Sequence, residues 1–174
     1  MGDKVVFGVK GTTNTFGMHV PLIASWPTKI ASGKVSDDLV DSTDFLATIC
    51  DAAGVSTAAA GKIDGRTFLP QLKGERGTPR DWVYCWYSPH GEPLREMAFN
   101  QHYKLYRNGD FYDVAADPEE KKPLKVASLT AEAADAAKKL QAGLDQYRDA
   151  RPANLPQPGR TEQKAKKAKK NKAA

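Results

Sequence analysis

Four short stretches rich in aromatic and β-branched residues lie close together, at residues 82–87, 94–99, 103–107 and 111–114. Runs of this composition are typical of strands, and Asn108-Gly109-Asp110 between the last two is a strong hairpin signal. The pattern therefore predicts a small antiparallel sheet. The residues expected on its buried side are Tyr103, Leu105, Phe111 and Val114.

A helix is predicted over residues 130–148, after the sheet. Thr130 can cap its N-terminus, and Glu132 in the first turn suits the helix dipole. Small and apolar residues recur on one face at helical spacing: Ala133, Ala136, Ala137, Leu140, Leu144 and Tyr147. This stripe is expected to pack on the sheet. The tail 151–174 is first rich in proline and then in lysine, and it is predicted to be disordered in isolation.

The first half of the chain contains one predicted strand and one clear helix. Residues 18–26 are interpreted as a mostly buried strand. Pro21 has no N–H to donate, which favours a sheet edge or the start of a strand. Residues 43–53 are predicted to form a helix with Ser42 as its N-cap. The apolar face of this helix carries Phe45, Leu46, Ile49, Cys50 and Ala53. A short helical turn is predicted over residues 67–73.

The composition limits the function classes that fit. The 174 residues are 40% hydrophobic and 27% charged, as in ordinary globular proteins. The net charge of +5 comes from residues 160–174, whose seven basic and one acidic side chains leave the rest of the chain at −1. No nucleic-acid partner is therefore expected, and no apolar run approaches the ~20 residues of a membrane-spanning helix. Cys50 and Cys85 fit no metal or disulfide pattern and are expected to be buried small hydrophobes.

Lys10 lies in a polar loop between Gly8 and Gly11. Glycines let a backbone approach a ligand closely, and a lysine ammonium is a compact cation that suits sulfate or phosphate. The spacing is not that of a phosphate-binding P-loop. From the residues alone two interpretations stay open: an exposed loop lysine, as most lysines are, or an anion contact.

Five segments, taken in order, resemble the sulfatase family. The N-terminal ones are Lys10-Gly11-Thr12-Thr13, Val20-Pro21-Leu22-Ile23 with Trp26-Pro27, and Asp41-Ser42-Thr43-Asp44-Phe45. Residues 64–74 resemble the family's "DGxSLLPLLKG" segment, and residues 111–120 resemble its "YDLxxDPxE" ending. The order and spacing of the segments together are specific, and the resemblance covers roughly residues 7 to 125.

The resemblance implies an α/β fold of the alkaline-phosphatase and sulfatase type, of which this chain is a C-terminal fragment. Residues 1–78 are then the C-terminal end of the α/β domain, including an edge of its main sheet. Residues 79–150 form a subdomain in which the small antiparallel sheet is packed by the C-terminal helix. Residues 151–174 are the tail.

The resemblance also implies roles for individual residues. The matching lysine of sulfatases contacts the sulfate of the substrate and helps to neutralise charge at the leaving oxygen, so Lys10 is the expected catalytic and substrate-binding residue. His90 lies in a loop similar to a histidine-containing loop near the substrate mouth of some sulfatases. It is interpreted either as a second substrate contact or as a solvated loop histidine, with Arg95 as a weaker candidate of the same kind. The expected substrate is a sulfated small molecule or glycan.

Two parts of a sulfatase site have no counterpart in this sequence. The Cys- or Ser-x-Pro-x-Arg segment, whose first residue becomes the formylglycine nucleophile, does not occur. The calcium of the family is held by carboxylates and an Asn that are not matched here, so no metal ligand is assigned. The chain alone is therefore expected to be catalytically silent and to work with a missing N-terminal part of the same domain. Family members mostly act outside the cytoplasm, which implies a periplasmic or secreted protein, although this chain does not itself fix the compartment.

Two alternatives stay open. The first is a phosphoester hydrolase of the same superfamily, although the Lys-Gly-Thr-Thr loop together with the segment at 64–74 favours sulfate. The second is a non-catalytic truncated homologue that acts only as a binding module, because the nucleophile and metal ligands are absent from the sequence.

Overall fold

The computed structural model describes residues 9–88 and 94–151, so the predictions for His90 and for the tail beyond residue 151 lie outside the described residues. The helices are α1 (Thr15–Met18), α2 (Asp44–Ala52), α3 (Leu69–Leu72) and α4 (Ala131–Gln146), with 3-10 helices at Ala58–Ala60 and Val126–Ser128. The strands are β1 (Val83–Tyr87), β2 (Arg95–Phe99), β3 (Tyr103–Tyr106) and β4 (Phe111–Asp113). The chain divides into two compact units. The intervening unit is Val20–Val83, and the sheet unit comprises the described parts of Met1–His19 and Tyr84–Ala174.

The sheet unit is built on a four-stranded sheet whose strand order, β1-β2-β3-β4, follows the sequence. β3 pairs antiparallel with both neighbours, with Ala98 opposite Leu105 and Leu105 opposite Phe111. Gly109 in the turn between β3 and β4 has a φ of +95°, which a glycine adopts without strain. The predicted small antiparallel sheet is therefore confirmed.

Helix α4 packs on β2 and β3. The Thr130 side chain accepts a hydrogen bond from the N–H of Ala133 at 3.2 Å, so the predicted N-cap is confirmed. Leu140 and Leu144 on the predicted stripe are fully buried. They meet the sheet face that carries Ala98, Leu105 and Phe111, and this apolar layer is the core of the unit.

The opposite face of the sheet is covered by residues 9–19. Since side chains alternate along a strand, Lys104 and Tyr106 point away from the face that carries Leu105. The Lys104 ammonium reaches the backbone carbonyl of Thr13 at 2.6 Å, and Tyr106 reaches its hydroxyl at 2.9 Å. The N-terminal segment is thus tied to the sheet by polar contacts.

The predicted strand at residues 18–26 is wrong. The helix α1 ends at Met18, and the following residues form no regular structure. Val20 and Ile23 are 72% and 89% exposed. A strand requires a neighbouring strand to satisfy its backbone, and the described residues provide none along this segment.

The predicted helix over 43–53 is confirmed as α2, but its predicted cap and buried face are not. Thr43 rather than Ser42 is the N-cap, and its N–H donates to the Asp41 carboxylate at 2.9 Å. The buried side chains of α2 are Asp44, Ala47 and Thr48. The apolar residues expected to be buried are largely exposed, with Phe45 at 41%, Leu46 at 50% and Ile49 at 66%. Cys50 and Cys85 are half-buried rather than buried.

A buried carboxylate holds the intervening unit together. Asp44 accepts hydrogen bonds from the Nε (2.7 Å) and Nη2 atoms of Arg80. It also accepts from the backbone N–H groups of Arg66 at 2.7 Å and Asp41 at 2.9 Å. The side chains of Asp44 and Arg80 are only 3% and 9% exposed. One carboxylate therefore joins the start of α2 to two later loops of the unit.

The Asp44 network predicts a loss of stability in acid. Burial by itself raises the pKa of Asp44, but the bonds from Arg80 and from two backbone N–H groups outweigh it and hold this pKa below 3.8. The folded unit therefore binds the proton less readily than the unfolded chain does. Its contribution to stability is fully present above about pH 4 and is lost as the pH falls through the folded pKa.

The measurement is the free energy of unfolding between about pH 2 and pH 6, for the wild-type chain and for Asp44→Asn. Asp44→Asn is expected to be less stable at pH 6 and to show a flatter pH dependence below pH 4. Equal slopes for the two proteins below pH 4 would contradict the assignment.

Candidate functional site

The lysine turn, Val9–Thr12, presents Lys10 at the surface. The Thr12 N–H donates to the Val9 carbonyl at 3.0 Å, which closes a β-turn with Lys10 and Gly11 in its centre. Gly11 has a φ of +88°, the conformation that the third position of a type II turn requires. Lys10 is exposed, and its side chain makes no hydrogen bond or ion pair with the other described residues. Lys10 is therefore a surface lysine of a hydrogen-bonded turn.

Helix α1 follows the turn closely and packs against it. The Asn14 carboxamide oxygen accepts from the Gly17 N–H at 3.1 Å and lies 2.9 Å from the Thr12 hydroxyl. A Cβ atom at position 17 would collide with the backbone carbonyl of Thr12, so only glycine permits this approach. The turn and α1 therefore form one compact piece.

A chain of hydrogen bonds, here called the anchor network, lies directly beneath this piece. The Tyr106 hydroxyl donates to the Glu120 carboxylate at 2.5 Å, so its oxygen is left to accept from the Thr13 hydroxyl at 2.9 Å. The Arg95 guanidinium in turn donates to the Thr13 hydroxyl at 3.3 Å. Lys104 completes the network by donating to the other Glu120 oxygen and to the Thr13 carbonyl, both at 2.6 Å. The Glu120 carboxylate and the Thr13 carbonyl are thus the final acceptors of the network.

The anchor network is buried, and burial shapes its ionisation. The side chains of Lys104 and Glu120 are 2% and 9% exposed. Burial lowers the pKa of Lys104, although the neighbouring Glu120 carboxylate opposes the shift. Burial and the bond to Glu120 both raise the pKa of Tyr106, so its hydroxyl stays protonated as a donor.

A polar cleft of about 380 Å³ opens beside the anchor network. Its walls include the side chains of Thr12, Asn14, Arg95, Asn108, Asp110 and Glu119. Arg95 is the predicted weaker candidate for a substrate contact, and the structure places it in this wall. Donors, acceptors and both signs of charge thus meet beside the lysine turn.

The described residues do not fit the calcium that the family resemblance implies. Within residues 9–88 and 94–151, no three His, Cys, Asp or Glu side chains are grouped so as to hold a metal ion. The buried carboxylates already face cations: Asp44 pairs with Arg80, Glu96 with Arg107 and Glu120 with Lys104. Calcium takes about six to eight oxygen ligands, and these carboxylates lie apart in separate pairs.

The sequence predicted Lys10 as a site residue but did not predict the anchor network beneath its turn. Lys104 and Glu120 are separated by 16 positions, and Lys104 and Thr13 by 91, so no local spacing reveals the network. The available signals were a lysine in the centre of a predicted strand and the motif Asp117-Pro118-Glu119-Glu120. His90, the other expected substrate contact, lies outside the described residues.

None of the helices in the described parts of the chain has both the length and the apolar character that crossing a bilayer requires.

Comparison with known proteins supports the sulfatase resemblance. The family model described as "N-sulphoglucosamine sulphohydrolase, C-terminal" matches residues 12–150. The ulvan-active sulfatase of Formosa agariphila is 37% identical over 79 residues, which are 44% of this chain and 16% of that protein. The N-acetylgalactosamine-6-sulfatase of Canis lupus familiaris is 37% identical over 93 residues, 53% of this chain and 17% of that protein. The steryl-sulfatase of Mus musculus is 32% identical over 75 residues, 42% of this chain and 12% of that protein.

These matches are all to sulfatases, and the chain spans only about a sixth of the length of the first two relatives. The family match covers most of the chain, including the sheet, α4 and the anchor network. The chain belongs to the N-sulphoglucosamine sulphohydrolase C-terminal family, and the predicted resemblance to sulfatases is confirmed.

Proposed function

We propose that this chain is the C-terminal part of a sulfuric ester hydrolase, in which Lys10 contacts the sulfate group of the substrate. The observation that carries the proposal is the exposed lysine of a hydrogen-bonded turn, within a chain whose relatives are sulfatases. The family match begins at residue 12, so the role of Lys10 rests on the Lys-Gly-Thr-Thr motif and on the geometry of the turn.

The chemistry of Lys10 follows from its charge. Cleavage of a sulfate ester moves negative charge onto the sulfate and the leaving oxygen. A cation that is already fixed beside those atoms stabilises that charge without reorganising, and this kind of electrostatic contact is usually a large catalytic contribution. Lys10 would therefore orient the sulfate and neutralise charge, while the nucleophile and metal that the family implies would belong to the rest of the protein.

The exposed apolar surface of the intervening unit supports the proposal that another part of the protein covers it. Phe45, Leu46 and Ile49 lie on one side of α2, and Ile23 on the segment before it is 89% exposed. Apolar patches of this kind mark surfaces that another protein surface covers. We assign the N-terminal part of the same α/β domain as that cover, because the matched relatives are about six times longer than the region they share with this chain.

The substrate is proposed to be a sulfated small molecule or glycan. The relatives include an N-acetylgalactosamine-6-sulfatase and a steryl-sulfatase, whose names specify different sulfated compounds. What these substrates share is the sulfate ester, and that is the group assigned to Lys10.

The test compares this chain alone with a fused protein. In the fused protein, this whole chain replaces the C-terminal region of the ulvan-active sulfatase of Formosa agariphila that contains the 79 matched residues. With calcium present, the chain alone is expected to release no sulfate from an aryl sulfate, whereas the fused protein is expected to release it. The same sulfatase without the segment is the control and is expected to be inactive.

Three results would count against the proposal. Sulfate release by the chain alone would show that the chemistry resides here. A fused protein that folds, as judged by circular dichroism, but releases no sulfate would favour a non-catalytic binding module. Faster hydrolysis of an aryl phosphate than of the aryl sulfate would favour the phosphoester alternative.

A further inference from the structure

The anchor network places a full ion pair inside the sheet unit, where apolar side chains are expected. Lys104 is in the centre of β3, with its ammonium 5.3 Å from the ring centre of Phe99 and bonded to Glu120. A buried ion pair rarely stabilises a protein more than apolar side chains of the same volume do, because desolvation offsets the attraction. The presence of this ion pair therefore requires an explanation other than its contribution to stability.

The hydrogen bonds of Lys104 show which part of the chain it holds in place. Besides Glu120, its ammonium donates to the main-chain carbonyl of Thr13 at 2.6 Å. The adjacent residue, Thr12, closes the lysine turn through its own N–H. A main-chain contact fixes the course of the backbone whatever side chain the residue carries, so Lys104 sets the position of the turn rather than of one side chain.

Glu120 adopts a backbone conformation that favours glycine, with a φ of +58°. Such a conformation costs about 1 kcal/mol or more in a residue with a Cβ. Its N–H donates to the Asp117 carbonyl at 3.0 Å, and the Pro118 carbonyl in the same turn accepts from the Thr15 N–H at 3.2 Å. The turn at 117–120 thus contacts the N-terminal segment directly through the Pro118 carbonyl. It also acts on Thr13 indirectly, because the Glu120 carboxylate binds Lys104 and Tyr106.

From these contacts we infer that Lys104, Tyr106 and Glu120 are positioning residues that hold the lysine turn in place for the sulfate contact. The carboxylate of Glu120 is the centre of the anchor network, because it binds both the Lys104 ammonium and the Tyr106 hydroxyl, which reach Thr13. The catalytic meaning of this inference rests on the proposed function. The mechanical part, that the network immobilises residues 9–19, is independent of it.

The mechanical part is tested by amide hydrogen exchange on the whole 174-residue chain carrying Glu120→Gly. Glycine adopts a positive φ without strain, but it lacks the carboxylate. If the turn depended only on its backbone conformation, this variant would therefore be more stable. We expect the amides of residues 12–19 to exchange about ten- to a hundredfold faster, as when a charged hydrogen bond is lost. Exchange in α4 is expected to change far less.

Arg107→Met is the matched control. It breaks the pair of Arg107 with Glu96 and the bond to the Leu144 carbonyl, both in the same unit, without touching the anchor network. It should accelerate exchange in α4 and leave residues 12–19 nearly unchanged. Unchanged exchange of residues 12–19 in Glu120→Gly, or equal acceleration everywhere in that variant, would overturn the inference.

A second readout separates positioning from general stability. In the fused protein, Glu120→Gly is expected to lower kcat about ten- to a hundredfold, because small misplacements of a catalytic group are costly. In a background that already carries Lys10→Ala, the same change should have little further effect. Equal losses in both backgrounds would mean that the network does not act through Lys10. If Lys10→Ala itself left kcat unchanged, the proposed function would fail while the exchange result would still stand.

Discussion

Replacing Arg80 by methionine is expected to destabilise the intervening unit by about 3–5 kcal/mol, because a buried charge pair is broken from one side only. The Asp44 carboxylate, with a side chain 3% exposed, would remain among backbone N–H groups without its guanidinium. Arg80 also donates to the Asp64 carbonyl at 3.0 Å, so that loop would lose a contact as well. The free energy is measured from the hydrogen exchange of the α2 amides.

Lys121→Met is the control for this prediction. Lys121 pairs with Glu119 at 2.7 Å, but the two side chains are 67% and 53% exposed. Water screens an exposed ion pair, so this variant should have almost no effect on stability. Arg80→Met with an effect as small as that of Lys121→Met would show that Asp44 is not an essential contact of the intervening unit.

The regular elements of the sheet unit were predictable because their signals are local. The spacing of Leu140 and Leu144 defines one helix face, and Thr130 marks its start. Gly109 supplies the positive φ of the turn between β3 and β4. None of these signals depends on residues far away in the sequence, and all of them are confirmed.

The failures share a physical cause, which is dependence on distant partners. Residues 18–26 have a strand-like composition, but a strand forms only beside another strand. The apolar face of α2 has the expected period, yet the polar bonds of Asp44 and Thr48 turn the other side inward. Lys104 could not be recognised as buried, because its partners Thr13 and Glu120 lie far away along the chain.

The candidate site also has one part that could be predicted from the sequence and one part that could not. The exposed position of Lys10 could be predicted from the polar, glycine-containing sequence around it, and the φ of Gly11 shows the turn in which it lies. The network that holds the turn could not be inferred, because it joins three distant segments through side-chain contacts. The role of Lys10 in binding sulfate stays a prediction that rests on the family motif.

Lys10→Ala in the fused protein is expected to lower kcat for a sulfate ester by about 10²- to 10³-fold, the effect of removing one fixed electrostatic contact from a developing charge. The fold is expected to be unaffected, because Lys10 is exposed and its turn is closed by Val9 and Thr12. The measurement is steady-state sulfate release at saturating substrate, with circular dichroism to verify folding.

Lys34→Ala is the matched control, since Lys34 is also an exposed lysine and lies outside the anchor network. The most direct test of the whole account is therefore the ratio of kcat between the Lys34→Ala and Lys10→Ala forms of the fused protein. The proposed sulfate contact predicts a ratio of about 100 or more. A ratio near one, in two variants that are equally well folded, would contradict it.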